Sequence, residues 1–400
     1  MGIGNIADTG MQAAMSNMEV ISNNIANANT IGFKRSNINF ADIYPSSNGA
    51  AASQVGMGVA VTSVIQDFTK GDPNYSGGQY DLSINNNGFF VLRDPNSGQV
   101  SYTRAGRFLP INGYITFGNQ RLQGFPAVNN VIPSGSSISD LQISNASLPA
   151  TASAIAATAV NLSSNDDVLA GPFDSTNTTT YNYTSNVDIY DSLGNSHTVT
   201  SYYVKNAPND WNVYVFVDDV QVTATPGTAT FSPNGVLTAT SGLNNLTFAP
   251  TTGATSPQTF TVDMTNSTQM STPDAYITLS ADGNAPAAFN NVKIDQNGNV
   301  WMQYTNSQQI LAGQVALANF QSPQALSDIG NMQWIANSSS GNAVVNQNNS
   351  TMNIQSGYVE LSNVDLTTEM VNLLSAQHIF QANAQVEQTY NDVMNTVIKL

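Results

Sequence analysis

Few residues of this chain could do chemistry, and spacing decides how each is read. Asp295, Asn297 and Asn299 mimic the first three ligand positions of a calcium loop, where carboxylate and amide oxygens converge on the ion. Gly298 is misplaced for such a loop and Asn306 stands where a bidentate Glu is needed, so the run reads as a hairpin turn at Asn297-Gly298. His197 falls in an expected strand and His378 in an expected helix, which does not predict a paired site. Ser196 and His197 are adjacent, so in a strand they point to opposite faces, and no orienting carboxylate is indicated. Asp166-Asp167 and Asp218-Asp219 fall in expected loops and read as solvated surface, not as acid and base. Gly56-Met57-Gly58 lacks the third glycine of a dinucleotide fingerprint, and no helix opens after it. The expectation is no catalytic residue, no cofactor, no metal and no enzyme.

Composition points the same way. The 400 residues suggest two or three domains. Only 9% are charged, and the polar remainder is Asn, Ser, Thr, Gln and Gly, which suits β-structure with many turns. A net charge of −16 would repel phosphate backbones, so nucleic acid is not an expected partner. Cysteine is absent, which removes disulfides, thiolate zinc sites and thiol nucleophiles. The first residues lack the basic and apolar regions of a cleaved secretory signal, and no apolar run is long enough to span a bilayer. A chain that is neither cleaved nor membrane-inserted is expected.

The strongest patterns lie at the two ends. Met11, Ala14, Met18, Ile21, Ile25 and Ala28 recur at heptad spacing, with Gly32 as an expected helix stop before Phe33 and the basic pair Lys34-Arg35. Asp365 to Leu400 contains no Gly or Pro and reads as one amphipathic helix capped by Asp365, with Glu369 in its first turn. Its seam is Ile379, Val386, Tyr390, Val393, Val397 and Leu400, with Asn383 the polar member. A stripe this narrow needs a partner helix, from the same chain or from a neighbouring copy.

Between the ends the period is that of strands. Tyr44 to Ser53 reads as a linker. Val59, Val61 and Val64-Ile65 begin an alternation continued by Leu82 and Ile84, with a hairpin expected at Asn87-Gly88 before Phe89–Leu92. Short strands follow around Asn112-Gly113 and Gly118-Asn119. Ile138 to Asn165 reads as a crossing between domains. Tyr181 to Tyr190, His197 to Val204 and Trp211 to Val217 then suggest a β-sandwich or small barrel. A hairpin is expected over Val292–Tyr304 and a buried strand over Val315–Phe320.

The run Ile21-Ser22-Asn23-Asn24-Ile25-Ala26-Asn27-Ala28-Asn29-Thr30-Ile31-Gly32-Phe33-Lys34 resembles the N-terminal signature of the flagellar rod and hook proteins. Ser362-Asn363-Val364-Asp365-Leu366, Glu369-Met370-Val371 and Gln381-Ala382-Asn383-Ala384-Gln385 resemble its C-terminal counterpart, and Gly88-Phe89-Phe90, Arg104-Ala105-Gly106 and Leu122-Gln123-Gly124-Phe125 also match. The resemblance covers about half of the chain and is closest to the hook members, because Asn37 to Tyr44 fits their next segment and the middle is longer than in the distal rod protein.

The resemblance implies a mainly β chain with α-helical ends and nested discontinuous domains. These are a helical assembly domain (1–33 and 363–400) with paired, coiled-coil-like helices, an extended arm (34–70) and an inner β domain (71–144 and 285–362), while the segment between its halves, which carries no signature, is assigned as an outer β insert (145–284) from its position alone. It implies a homo-oligomeric helical tube, curved and torque-transmitting, exported to the flagellum, with the terminal helices lining its channel. The implied partners are the distal rod protein, the hook cap and the hook–filament junction protein. The implied assembly residues are Met11, Ala14, Met18, Ile21, Asn24, Ile25, Asn27, Ala28, Gly32 and Phe33 at one end. At the other they are Leu366, Met370, Leu373, Ile379, Asn383, Val386, Tyr390, Val393, Val397 and Leu400. The alternatives are a distal rod protein of the same family, or a secreted β-domain adhesin or hydrolase with helical ends.

Overall fold

A computed structural model describes residues 3–43, 56–346 and 353–398. The expected linker at Tyr44 to Ser53 and the seam residue Leu400 lie outside these residues. The chain divides into two units, Met1–Asn145 with Asn291–Gln303 and Gln309–Leu400, and Ala146–Asn290 with Tyr304–Gln308.

In the first unit, helix α1 spans Ile3–Ala26, so it begins eight residues before the expected Met11 and stops two short of Ala28. Its buried face is Ala7, Ala13, Ala14, Ile21 and Asn24. The small residues Gly10, Ala13 and Ala14 hold this face close to its neighbour, which a count of large apolar positions does not register. Asn27 and Ala28 form the turn that leaves the helix, with the Asn27 amide donating to the Asn23 carbonyl. Gly32 is therefore not the helix stop. It has a φ of +73°, and a Cβ on it would lie 2.5 Å from the backbone N of Ala105, so only glycine fits this approach.

Strand β1 (Ser36–Asp42) pairs antiparallel with β2 (Val59–Gln66) as a two-stranded ribbon. The Val59 alternation thus belongs to this ribbon and does not lead into Leu82. Nor does Asn87-Gly88 close a hairpin: Leu82–Ile84 pairs with Ile354–Ser356, far away in sequence. Phe89–Arg93 pairs along one side with Val100–Thr103, and along the other with Leu317-Ala318 and then Arg121-Leu122. Early and late segments therefore share one sheet, closed over Phe89, Tyr102, Phe125, Phe320 and Trp334. Asn112-Gly113, both at positive φ, turn the hairpin Leu109–Ile111 to Tyr114–Phe117.

The second unit is two sheets over one core. The antiparallel meander Tyr183–Tyr190, Ser196–Ala207, Asp210–Val217, Gly227–Phe231 and Leu237–Ser241 forms one. The other centres on Ile155–Ser163, which pairs with Gln258–Asp263, Thr268–Met270 and Ala275–Ala281. The stretch expected as a crossing is thus a core strand. Its Ala and Thr residues disguise it, because they are buried by packing against Trp211, Tyr203 and Phe260.

Candidate assembly site at the terminal helices

Helix α2 spans Leu366–Ile398, and the Asp365 carboxylate accepts the Thr368 N–H at 2.6 Å as its cap. That bond holds the Asp365 carboxyl below its usual range. Gly10 of α1 meets Asn383, Ala13 and Ala14 line the same groove as Ala376, and Arg35 lies 3.9 Å from Glu369. The two helices therefore run antiparallel. A Cβ on Gly10 would fall 2.8 Å from the Asn383 side-chain amide, which would have to move aside.

The face of α2 turned inward is Glu369, Leu373, Ala376, Phe380, Asn383, Glu387 and Tyr390, a heptad of its own in which Ala376 and Glu369 are buried and the rest half-buried. Of the implied assembly residues on α2, only Leu373, Asn383 and Tyr390 lie on it. Leu366, Met370, Ile379, Val386, Val393 and Val397 are 46% to 60% exposed. The closest approach to α1 is made by the small Ala376 and the polar Asn383, which allow a shorter interaxial distance, while the apolar stripe stays exposed. Of the residues implied at the first end, Ala14, Ile21 and Asn24 on α1 and Gly32 beyond it are buried, while Met11, Met18 and Ile25 on α1 and Asn27, Ala28 and Phe33 beyond it are half-buried. Asn24 binds the start of the ribbon from both ends of its amide, donating to the Ser36 carbonyl at 2.8 Å and accepting the Ser36 N–H at 2.9 Å.

At the root of the helices lies a buried ionic cluster. Lys34 Nζ is 2.6 Å from Glu360 Oε1 and donates to the Thr69 carbonyl at 2.7 Å. Arg104 Nη1 is 3.5 Å from Glu360 Oε2, and the Gly71 N–H donates to Glu360 Oε1 at 2.9 Å. All three charged side chains are out of water. Burial pulls the Lys34 and Arg104 pKa values down, against the opposing pull of Glu360. Beside it the Arg35 N–H donates to Asn363 Oδ1 at 2.7 Å, and the Asn363 amide donates to the Asp67 carbonyl at 2.7 Å. Arg35 Nη2 pairs with Asp67 Oδ2 at 3.2 Å. Burial pushes the Asp67 carboxyl up, but hydrogen bonds from Thr69 and the Arg35 charge bring it below its usual value. Lys34, Arg104 and Asn363 stand in the motifs noted above, but nothing in sequence points to Glu360.

Elsewhere the candidates for chemistry are structural. Asp295 Oδ1 accepts the N–H groups of Asn297 and Asn299, and Oδ2 accepts the Asn299 amide and the Trp301 indole, so both oxygens are committed to the turn. Among the described residues no group of three His, Cys, Asp or Glu side chains could hold a metal ion. His197 does have carboxylate neighbours: Nδ1 is 2.6 Å from Asp218 Oδ2 and Nε2 is 3.4 Å from Asp191 Oδ2. Strand pairing brings these in from loops, which sequence adjacency could not show. Ser196 is exposed while His197 is buried, so they make no nucleophile and base pair. Burial raises the Asp191 carboxyl, but hydrogen bonds from Thr252, Asn195 and Leu193 hold it well below its usual range. Asp166 is not plain solvated surface either: burial first and the Asp274 charge second push its carboxyl up to about 6. Asp167 and His378 are exposed.

Three family models match the chain: a flagella basal body rod protein over residues 5–34, a flagellar basal body protein FlaE D2 domain over 161–284, and a flagellar basal body rod FlgEFG protein C-terminal over 355–400. The second falls on the insert, where sequence reading found no signature. The flagellar hook protein FlgE of Escherichia coli K12 is 35% identical over 98% of this chain and 98% of its own length. That of Salmonella typhimurium LT2 is likewise 35% identical with the same coverage, and that of Borreliella burgdorferi is 30% identical over 98% of both chains. The crystal structure of Helicobacter pylori flagellar hook protein FlgE2 superposes with a TM-score of 0.55 at 13% identity, covering 72% of this chain and 100% of that one.

Proposed function

Because the chain belongs to the flagellar hook protein family, in which it is a structural subunit of the hook polymer, we infer that its terminal helices are the surface through which copies join. The observation that carries this is the apolar row Ile379, Val386, Val393 and Val397, recurring at steps of seven, seven and four along α2 and left exposed beside α1. Burying one such side chain is worth about 1.5 to 3 kcal/mol, so a row of them repeated in every copy is a substantial drive to associate. In the tube the helices face the channel, while the β units form its outer layers and slide as it bends under torque. Its end contacts are the distal rod protein, the hook cap and the junction protein. It performs no catalysis, since His197, Asp295 and Asp191 spend their polar atoms within the fold.

The test is Val393→Asp, made in the full chain and introduced in place of the wild-type gene. Val393 is 55% exposed, so the subunit should melt as the wild type does, while an acid buried in every copy-to-copy contact should abolish hooks in electron micrographs. Normal hooks from this variant would reject the helical surface as the point of joining.

A further inference from the structure

Helices α1 and α2 and the ribbon enclose an open groove of about 510 Å³. Its lining combines the small Gly10, Ala14 and Ala376 with the larger apolar Ile6, Phe40 and Ile379. A cavity of about 150 Å³ admits a benzene ring, so this groove has room for about three aliphatic side chains. None of its lining residues is charged, in a chain whose net charge is −16. It is therefore a place where two such chains could meet without like-charge repulsion.

The same chain carries a matching projection. With Gly10 opposite Asn383, an antiparallel α1 that begins at Ile3 runs out near Tyr390. Residues Asn391–Ile398 continue beyond it, and all eight are exposed. At 1.5 Å per residue they extend about 12 Å, comparable to the roughly 17 Å of α1 between Ile6 and Asn17 that borders the groove. Val393, Met394 and Val397 form one apolar flank of this end. Asp392 is the projection's only charge among its described residues.

We propose that the end of α2 in one copy seats Val393, Met394 and Val397 in the α1–α2–ribbon groove of a second copy. The contact is heterologous, since a projection meets a groove of different composition, and such a contact propagates into a helical tube when its rotation does not close a ring. This rests on the subunit role given above and specifies which surfaces meet.

The chain has no cysteine, so introduced thiols report on this contact alone. Cells producing Phe40→Cys and Met394→Cys full-length variants together should yield hooks that, after mild oxidation, contain a covalent dimer at least tenfold more abundant than in hooks of either variant alone. If Phe40→Cys prevents hooks from forming, Ile379→Cys in the same lining takes its place. Intact hooks with no excess of the mixed dimer would overturn this pairing and leave the subunit role standing. Failure of the wild-type chain to form hooks would overturn both.

Discussion

Glu360 shows how much one side chain can hold. It accepts from Lys34 and from the Gly71 N–H, faces Arg104, and its own carbonyl accepts the Gly32 N–H at 2.8 Å. Glu360→Gln would leave two buried cations without a counter-charge, and removing one partner of a buried pair costs about 3 to 5 kcal/mol. That loss should appear in urea denaturation of the full chain. Asp166 gives a pH dependence of the opposite sign to that of a salt-bridged acid. Its folded pKa, about 6, lies above the ordinary value of 3.8, so between these values the folded chain holds a proton that the unfolded chain has released. The contribution is fully present below about pH 4 and is lost as pH rises through about 6. Asp166→Asn should flatten the fall in melting temperature across that window and leave the variant more stable than the wild type at pH 7. An unchanged slope would assign the dependence to other groups.

At the level of elements, the helix pair owes its geometry to small residues. The approach of α1 to α2 passes through Gly10, Ala13, Ala14 and Ala376, and a methyl group at Gly10 would already overlap Asn383. Gly10→Leu should force the helices apart, at a cost of about 1 to 3 kcal/mol for overpacking. Hydrogen exchange of the full chain should show faster exchange of amides 5–20 and unchanged protection in the Phe89–Arg93 strand. The helical spacing itself was legible from heptads at both ends. Which face turns inward was not, because periodicity weighs large apolar residues and the closest contact is made by residues with almost no side chain.

At the scale of the whole molecule, the second unit begins and ends on neighbouring segments. Leu148 and Ala287 exchange backbone hydrogen bonds, as do Thr151 and Asn284, so the two ends of the insert lie side by side. Excising residues 152–283 and closing the gap with a short Gly-Ser link should leave a first unit that folds with its own melting transition, checked by calorimetry, and that still forms tubes of altered stiffness. Sequence by itself determined the features that rest on local repetition and motif. These are the two terminal helices with the Asp365 cap, the Asn112-Gly113 turn, the alternating strands of the insert and the likeness to axial flagellar proteins. Tertiary structure alone decided that Leu82–Ile84 pairs with Ile354–Ser356, that Ile155–Ser163 is a core strand, and that Lys34, Arg104 and Glu360 meet out of water. Each of these joins residues that are distant along the chain, where the gain comes from shared burial and no single segment carries the signal.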